Sequence, residues 1–318
     1  MSGRRRMMMV MPEDCLTFDI IAEEGQTLSV TPKFSGTFMS IDLGDGVIQT
    51  IPFNGSITHT YPAGDWKVRI YGTDCGGCHF RGTVNIVRSN ERWHYLGERF
   101  TNGSEMFRGM ANSRFDFKTL PPQITNGSIM FYNCANAILP LTKLPGGLTT
   151  CNNMFHGCTN ALLPLTEIPD GVTSLTAAFV NCSSALLPIK RLPLNVISGH
   201  NAFAGCFAAE MEISELPDSL TNCQAMFQRC GGVFSVKKLP SSATDLSYLF
   251  NDYDYRGSHP MVLDDFVANA PAGGYPAVTT INYMFYYCRD VVGSRSAFLA
   301  LFPNATSTNA FNGTNTTE

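Results

Sequence analysis

Charge is what this chain of 318 residues has least of: Asp, Glu, Lys and Arg together make up only 15% of it. A coiled coil or a long solvent-facing helix needs far more, so those architectures are excluded. The net charge of -4 gives no general attraction to nucleic acid or to anionic lipid, and Arg4-Arg5-Arg6 is too short a basic run to change that. Long apolar runs are missing as well, since no window approaches the roughly 18 residues that would suggest a membrane span. The opening MSGRRRMMMVMPEDC reads as a mature end, because its apolar run stops at Val10-Met11-Pro12. The six histidines, at 59, 79, 94, 156, 200 and 259, form no His-x-His or His-Glu-x-x-His pair. There is also no Gly-x-Ser-x-Gly elbow and no phosphate-binding glycine loop. Catalysis has no motif to stand on, so the expectation is a protein that is not an enzyme and has no cofactor and no bound metal.

What the chain does have is turn formers and a period. It holds 28 Gly, 18 Pro, 22 Phe and 11 Cys, and it is long enough for a small domain plus a repeat array. Phe107, Phe131, Phe155, Phe179, Phe203 and Phe227 follow one another at steps of 24 residues, then Phe250 after 23, Phe285 after 35 and Phe311 after 26. Three places after each Phe but the last stand Met110, Cys134, Cys158, Cys182, Cys206, Cys230, Tyr253 and Cys288. The pairs Leu120-Pro121, Leu144-Pro145, Ile168-Pro169, Leu192-Pro193, Leu216-Pro217 and Leu239-Pro240 keep the same step. A unit this short cannot bury its own apolar face, so its recurrence predicts a solenoid in which stacking completes the core. Segments such as NNMFHGC are expected as short helical turns and ALLPLTEIP as the extended side, with parallel ladders running beside the prolines and not through them. The cysteines then read as a stacked column of buried thiols, with disulfides between rungs as the alternative.

The wording of the units, SIMFYNCANAILPLTKLPGGLTTCNNMFHGCTNALLPLTEIPDGVTSL, resembles the BspA-like leucine-rich repeats of bacterial surface proteins over about residues 100 to 315. The resemblance implies a right-handed solenoid with a stacked strand face and a role in adhesion or display. Its regularity fails in the 35-residue step, NDYDYRGSHPMVLDDFVANAPAGGYPAVTT. That stretch, 251–278, is expected as an insertion that projects as a loop, with a short helix near MVLDDFVANA; the alternative is that it covers the last coils as a cap through Val262, Leu263 and Phe266.

Residues 15–88 lack these markers and show short alternating runs, LTFDIIA, TLSVTPKF, WKVRIYG and GTVNIVR, separated by Gly, Asn and Asp turns, the pattern of a small antiparallel sandwich. Within it, IDLGDGVIQTIPFNGSITHTYPAGDWKVRIYG resembles the polycystic-kidney-disease (PKD) type of immunoglobulin-like domain through Asp42, Gly44, Asp45, Gly46, His59, Tyr61 and Gly64, with Leu43 where that family often has Trp. The resemblance implies a spacer or carbohydrate-associated module. The expected organisation is an arm over 1–14, an Ig/PKD-like β-sandwich over 15–88, a linker and cap over 89–100, and a mainly β solenoid with short helices over 101–318. Trp93 is placed at the junction, with a sugar-stacking platform as its alternative.

Three clusters invite chemistry. CGGCH, from Cys75 to His79, fits a haem-attachment or half-zinc pattern, yet a Gly-Gly hairpin turn with or without a local disulfide accounts for it as well. Asp252, Asp254, Asp264 and Asp265 offer carboxylates for a cation, against the reading of a solvated acidic loop. Tyrosines crowd the stretch from Tyr248 to Tyr287, and tyrosine supplies rigid, partly polar contact area. Tyr253, Tyr255, Asp252, Asp254, Tyr275 and Tyr286 are therefore the expected binding residues. The function expected from these readings is a structural and adhesive component of a bacteriophage virion surface, assembled in the host cytoplasm. It would be held to other structural proteins through the arm and sandwich and would present the solenoid to a host protein or glycan, with self-association left open. The alternative is a bacterial cell-surface adhesin; a solenoid glycosidase would need a carboxylate pair that is not identifiable.

Overall fold

The computed structural model describes residues 15–32, 39–51, 55–72, 78–82, 92–95, 100–231, 236–252, 260–314 and 316. It is mainly β, with two short helices. In chain order the elements are β1 (Cys15–Ala22), β2 (Gln26–Pro32), β3 (Met39–Asp42), β4 (Ile48–Ile51), β5 (Ile57–Tyr61), β6 (Gly64–Gly72), β7 (Cys78–Gly82), β8 (Arg92–Tyr95), β9 (Arg114–Phe115), β10 (Met261–Val262), α1 (Leu263–Asn269), β11 (Val291–Val292) and α2 (Arg295–Leu299). The expected arm, residues 1–14, lies outside the described residues.

The N-terminal strands form two sheets, one in the order β4-β3-β6-β1-β8-β9 and one in the order β5-β2-β7. Alternation decides which side chains face inward: Phe18 and Ile20 on β1, Val68 and Ile70 on β6, Ile41 on β3 and Leu28 and Val30 on β2 are all buried. The β3–β4 turn is organised by Asp42, whose Oδ1 accepts from the amides of Gly44 and Gly46 while its Oδ2 meets Arg69 at 3.3 Å. Gly44 (φ +107) and Gly46 (φ +75) supply the left-handed backbone this loop requires. Tyr61 is buried against Trp66 and His59, and burial pushes its phenol well above the usual range.

The larger sheet does not stop at the N-terminal strands. β8 pairs antiparallel with β1 on one side and parallel with β9 on the other, and from Arg114 the pairing continues by parallel bridges to Ile138 and then Leu162. The first coils of the repeat thus extend the sheet of the N-terminal part. The side chain of Trp93 is outside the described residues, but its backbone pairs with Phe18 and Phe115 at this seam.

From Phe100 onward the chain winds in coils that bridge one another in parallel. One column of bridges joins Asn102, Asn126, Thr150, Ser174, Ser198, Asn222, Asp245, Thr280 and Thr306, and a second joins Thr119, Lys143 and Glu167. Both lie beside the Leu-Pro pairs, whose prolines instead accept local turn bonds, as Pro145 does from Leu148 and Pro169 from Val172. The segment NNMFHGC is not helical. Its amides alternate in direction: Met154, His156 and Cys158 donate to Cys151, Asn153 and Phe155 within the coil, while Asn153, Phe155 and Gly157 donate to Thr176, Ala178 and Val180 in the next coil. A helix would direct every amide along its own axis, so cross-coil bonding at every second residue imposes a ribbon of turns. Each turn needs a left-handed residue, and Asn153 (φ 54) and Gly157 (φ 74) provide it.

This ribbon sets the core. Phe131, Phe155, Phe179, Phe203 and Phe227 stack with ring centroids 5.2–5.5 Å apart, and Phe107, Phe250, Phe285 and Phe311 continue the column. Cys134, Cys158, Cys182, Cys206, Cys230 and Cys288, with Cys151 and Cys223, are buried free thiols.

Over its described part the insertion has the expected short helix but follows the capping alternative, not the projecting loop. Residues 260–278 do not project. α1 lies across the core with Leu263 and Phe266 fully buried, and Phe266 meets Phe250, Phe285 and Phe298 of α2. Strands β10 and β11 pair in parallel just before the two helices, so these coils replace the extended Leu-Pro side with a helix. Apolar demand explains it: a helix can bury two large side chains where the insertion has lost the repeat's leucines. Residues 253–259 of the insertion lie outside the described residues.

Candidate recognition surface

The left-handed positions of the turn ribbon are where side chains leave the coil, and the last coils fill them with tyrosine. Two residues before the ladder Phe the occupants include Glu105, Ile129, Asn153, Ala177, Asn201 and Ala225, and in two successive coils they are Tyr248 and Tyr283, both at φ 58. Two residues after it stand Gly109, Asn133, Gly157, Asn181 and Gly205, then Arg229, Asp252 and, at φ 58, Tyr287. Glycine and asparagine take this backbone at little cost, whereas a bulky side chain there costs about 1–2 kcal/mol. Three tyrosines hold that conformation in the last coils, as Ile129 does in an earlier one, and their rings stand next to one another.

The rings form a continuous ledge. Tyr248 stacks on Tyr283 at 4.9 Å and 5°, Tyr283 meets Tyr286 edge-on at 5.3 Å, and Tyr286 meets Tyr287 edge-on at 4.3 Å. Tyr287 is 55% exposed and the other three are half-buried. A hydrogen bond with Tyr287 raises the Tyr286 phenol above its ordinary range. The backbone under the ledge is pinned: Asp252 and the Asn251 amide group donate to the Tyr286 carbonyl, Gln228 donates to Asn251 Oδ1, and Arg229 pairs with Asp252 at 2.9 Å. The same face carries, at the other end of the stack, Arg108 over the ring of Tyr132 at 5.5 Å and Tyr132 stacked on His156 at 4.7 Å. Burial pulls His156 below the usual imidazole range. Flat aromatic faces rimmed by Asn, Asp and Arg can stack on apolar ring faces and hydrogen-bond at the edges.

Of the expected binding residues, Tyr286 belongs to the ledge and Asp252 lies under it. Tyr275 does not belong. It is fully buried, stacks on Phe302 at 5.4 Å, accepts from the Leu239 amide, and closes the local turn that Pro145 and Pro169 close elsewhere. Tyr253, Tyr255 and Asp254 lie outside the described residues. Tyr248, Tyr283 and Tyr287 were readable as partners from their fixed distance to Phe250 and Phe285. Asp264 and Asp265 are not in a solvated loop: they open α1, where Asp264 accepts from the Ser294 amide and Asp265 pairs with Lys237 at 3.4 Å. Cys75 lies outside the described residues, and Cys78 and His79 enter β7, paired with Pro32 and Thr31. Among the described residues no three His, Cys, Asp or Glu side chains are grouped to hold a metal ion, and no helix is long and apolar enough to cross a membrane.

No family model, no curated protein and no solved structure matches this chain.

Proposed function

We propose that this chain is a non-enzymatic display protein. The stacked coils are read as a leucine-rich-repeat solenoid of the BspA-like kind, carried on an Ig/PKD-like sandwich formed by the two N-terminal sheets. The solenoid holds out the tyrosine ledge for a protein or glycan partner. The observation that carries the reading is the ledge itself: four adjacent tyrosines, three at left-handed positions, stacked across two coils whose cores need none of them. The continuous ladder from β1 into the coils supports a rigid mount. Among carriers for such a scaffold we favour a bacteriophage virion surface component over a bacterial adhesin. A core that holds, among the described residues, eight buried free thiols suits a particle assembled in a reducing cytoplasm before release.

The test is retention of the labelled full chain on a glycan array and on intact bacterial cells. Retention that is abolished by Tyr283→Ala and Tyr287→Ala, with melting unchanged, supports the ledge. Retention indifferent to both substitutions removes it as the contact surface, and no retention on either support removes the display reading.

A further inference from the structure

A second surface, in different columns of the coil, carries a row with its own pattern. In five consecutive coils, each 24 residues on, the outward position seven residues after the ladder Phe holds Arg114, Ile138, Leu162, Leu186 and Glu210. The residues on either side of the middle three, such as Ala137 and Leu139, point inward and are buried. The middle three therefore serve no core: Ile138 is 50% exposed, Leu162 64% and Leu186 48%. Parallel bridges hold Arg114, Ile138 and Leu162 in line, and the Glu210 amide donates to the Leu186 carbonyl. Two residues further along each coil, Pro140, Pro164 and Pro188 face the same way and withhold amide donors, so the face is apolar in backbone as well as side chain. Three exposed aliphatic side chains at one position of successive coils, ended by one cation and one anion two coils either side of Leu162, form a patch of the kind that marks an interface.

We propose that this row is the contact between two copies of the chain, packed face to face and antiparallel about a two-fold axis passing Leu162. That operation sets Leu162 against its own copy, Ile138 against Leu186, and Arg114 against Glu210. Parallel packing would set Arg114 against Arg114 and Glu210 against Glu210, so charge selects the antiparallel arrangement. Self-complementarity of this type is what an isologous contact requires. The competing intrachain pairs are weak and exposed: Arg114 touches Asp116 through Nε at 3.4 Å, which leaves its terminal fork for a carboxylate across the axis. The same operation sets Asp116 against Glu212, a like-charge pair whose members each have a cation within their own copy, Arg114 at 3.4 Å and Lys190 at 3.2 Å.

Sedimentation velocity of the full chain over a concentration series tests this. A monomer–dimer equilibrium is expected, with Leu162→Glu raising its Kd at least about tenfold and leaving melting unchanged. Arg114→Glu and Glu210→Arg should each weaken the dimer, and the double variant should regain it, because the exchanged charges again face each other. A chain that stays monomeric up to about 100 µM, a range that still detects weak pairing, overturns the proposal. A dimer insensitive to Leu162→Glu also overturns it, and so does a double variant that stays as weak as the singles.

Discussion

The thiol of Cys182 donates to the carbonyl oxygen of Phe155 in the coil before it, 3.0 Å away, and the same bond links Cys134 to Phe107, Cys158 to Phe131 and Cys206 to Phe179. These sulfurs are bonded to the backbone and are free thiols, not halves of disulfides. They are expected to resist alkylation in the folded chain and to react once it is denatured. Melting in the presence of reductant should match melting without it, and a large downward shift would mean that bridges between rungs carry stability.

Alkali is expected to unfold the stack. Burial pushes the Cys230 and Cys223 thiols up from 9.0 to about 12, and it raises Cys158 and Cys206 as well. In the unfolded chain these thiols ionise near 9, so between about pH 9 and pH 12 the unfolded state binds fewer protons than the folded one. Stability is therefore full below pH 9 and lost as pH rises through that window, by a few kcal/mol for each of Cys223 and Cys230. Denaturant titrations at stepped pH should show this slope, and Cys230→Ala should make it shallower.

Phe179 lies between Phe155 at 5.3 Å and Phe203 at 5.2 Å with no exposed surface. Phe179→Ala empties a site walled by coils that cannot close on it, and should cost about 3–5 kcal/mol in chemical denaturation. A shift no larger than that of a surface substitution would refute the stacked register.

Two glycines separate backbone demand from simple flexibility. Gly157 has φ +74, and a Cβ there would press on Asn133 Oδ1, whereas Gly146 has no atom within 4 Å of its Cβ position and no positive φ. Gly157→Ala should destabilise by more than about 1 kcal/mol. Gly146→Ala should be neutral or stabilise by about 0.4–1 kcal/mol. Equal melting shifts for the two would contradict the turn ribbon.

Tyr275 and Tyr283 should behave as different kinds of residue. Tyr275→Phe leaves the buried Leu239 amide without its acceptor and should cost about 1–3 kcal/mol. Tyr283→Ala removes a half-buried ring from a left-handed position and should shift stability by less than about 1 kcal/mol. Differential scanning calorimetry of both variants makes the comparison. The reverse ranking would place Tyr283 in the core and dissolve the ledge.

The parts of this fold that were legible beforehand are those that stacking forces to repeat. Phe155 and Phe179 must fall at one place in each coil because their rings lie on each other, and Cys158 and Cys182 keep step for the same reason. The turn ribbon was not legible. Its left-handed positions are filled as readily by Ile129, Ala177 and Tyr248 as by Gly157, and such residues carry no turn signature. Phe266 was ambiguous for the opposite reason: inside the 35-residue step no neighbouring coil supplies a phase, so an apolar side chain there reads equally as part of a projecting loop or of a cap. Tyr275 and Tyr286 are alike in composition. Only position separates them, because Tyr286 directly follows a ladder Phe whereas Tyr275 stands in the slot of a turn proline.

Because amides at every second residue of the ribbon always meet the carbonyls of the following coil, neighbouring regular units are interchangeable. Deleting residues 151–174 would present the same donors to the same acceptors and lower the tyrosines toward the N-terminal sheets by one ring spacing, 5.2–5.5 Å. Duplicating them would raise the tyrosines by the same step. The chain is in this sense a ruler, and the height at which it offers its aromatic surface is counted in whole coils.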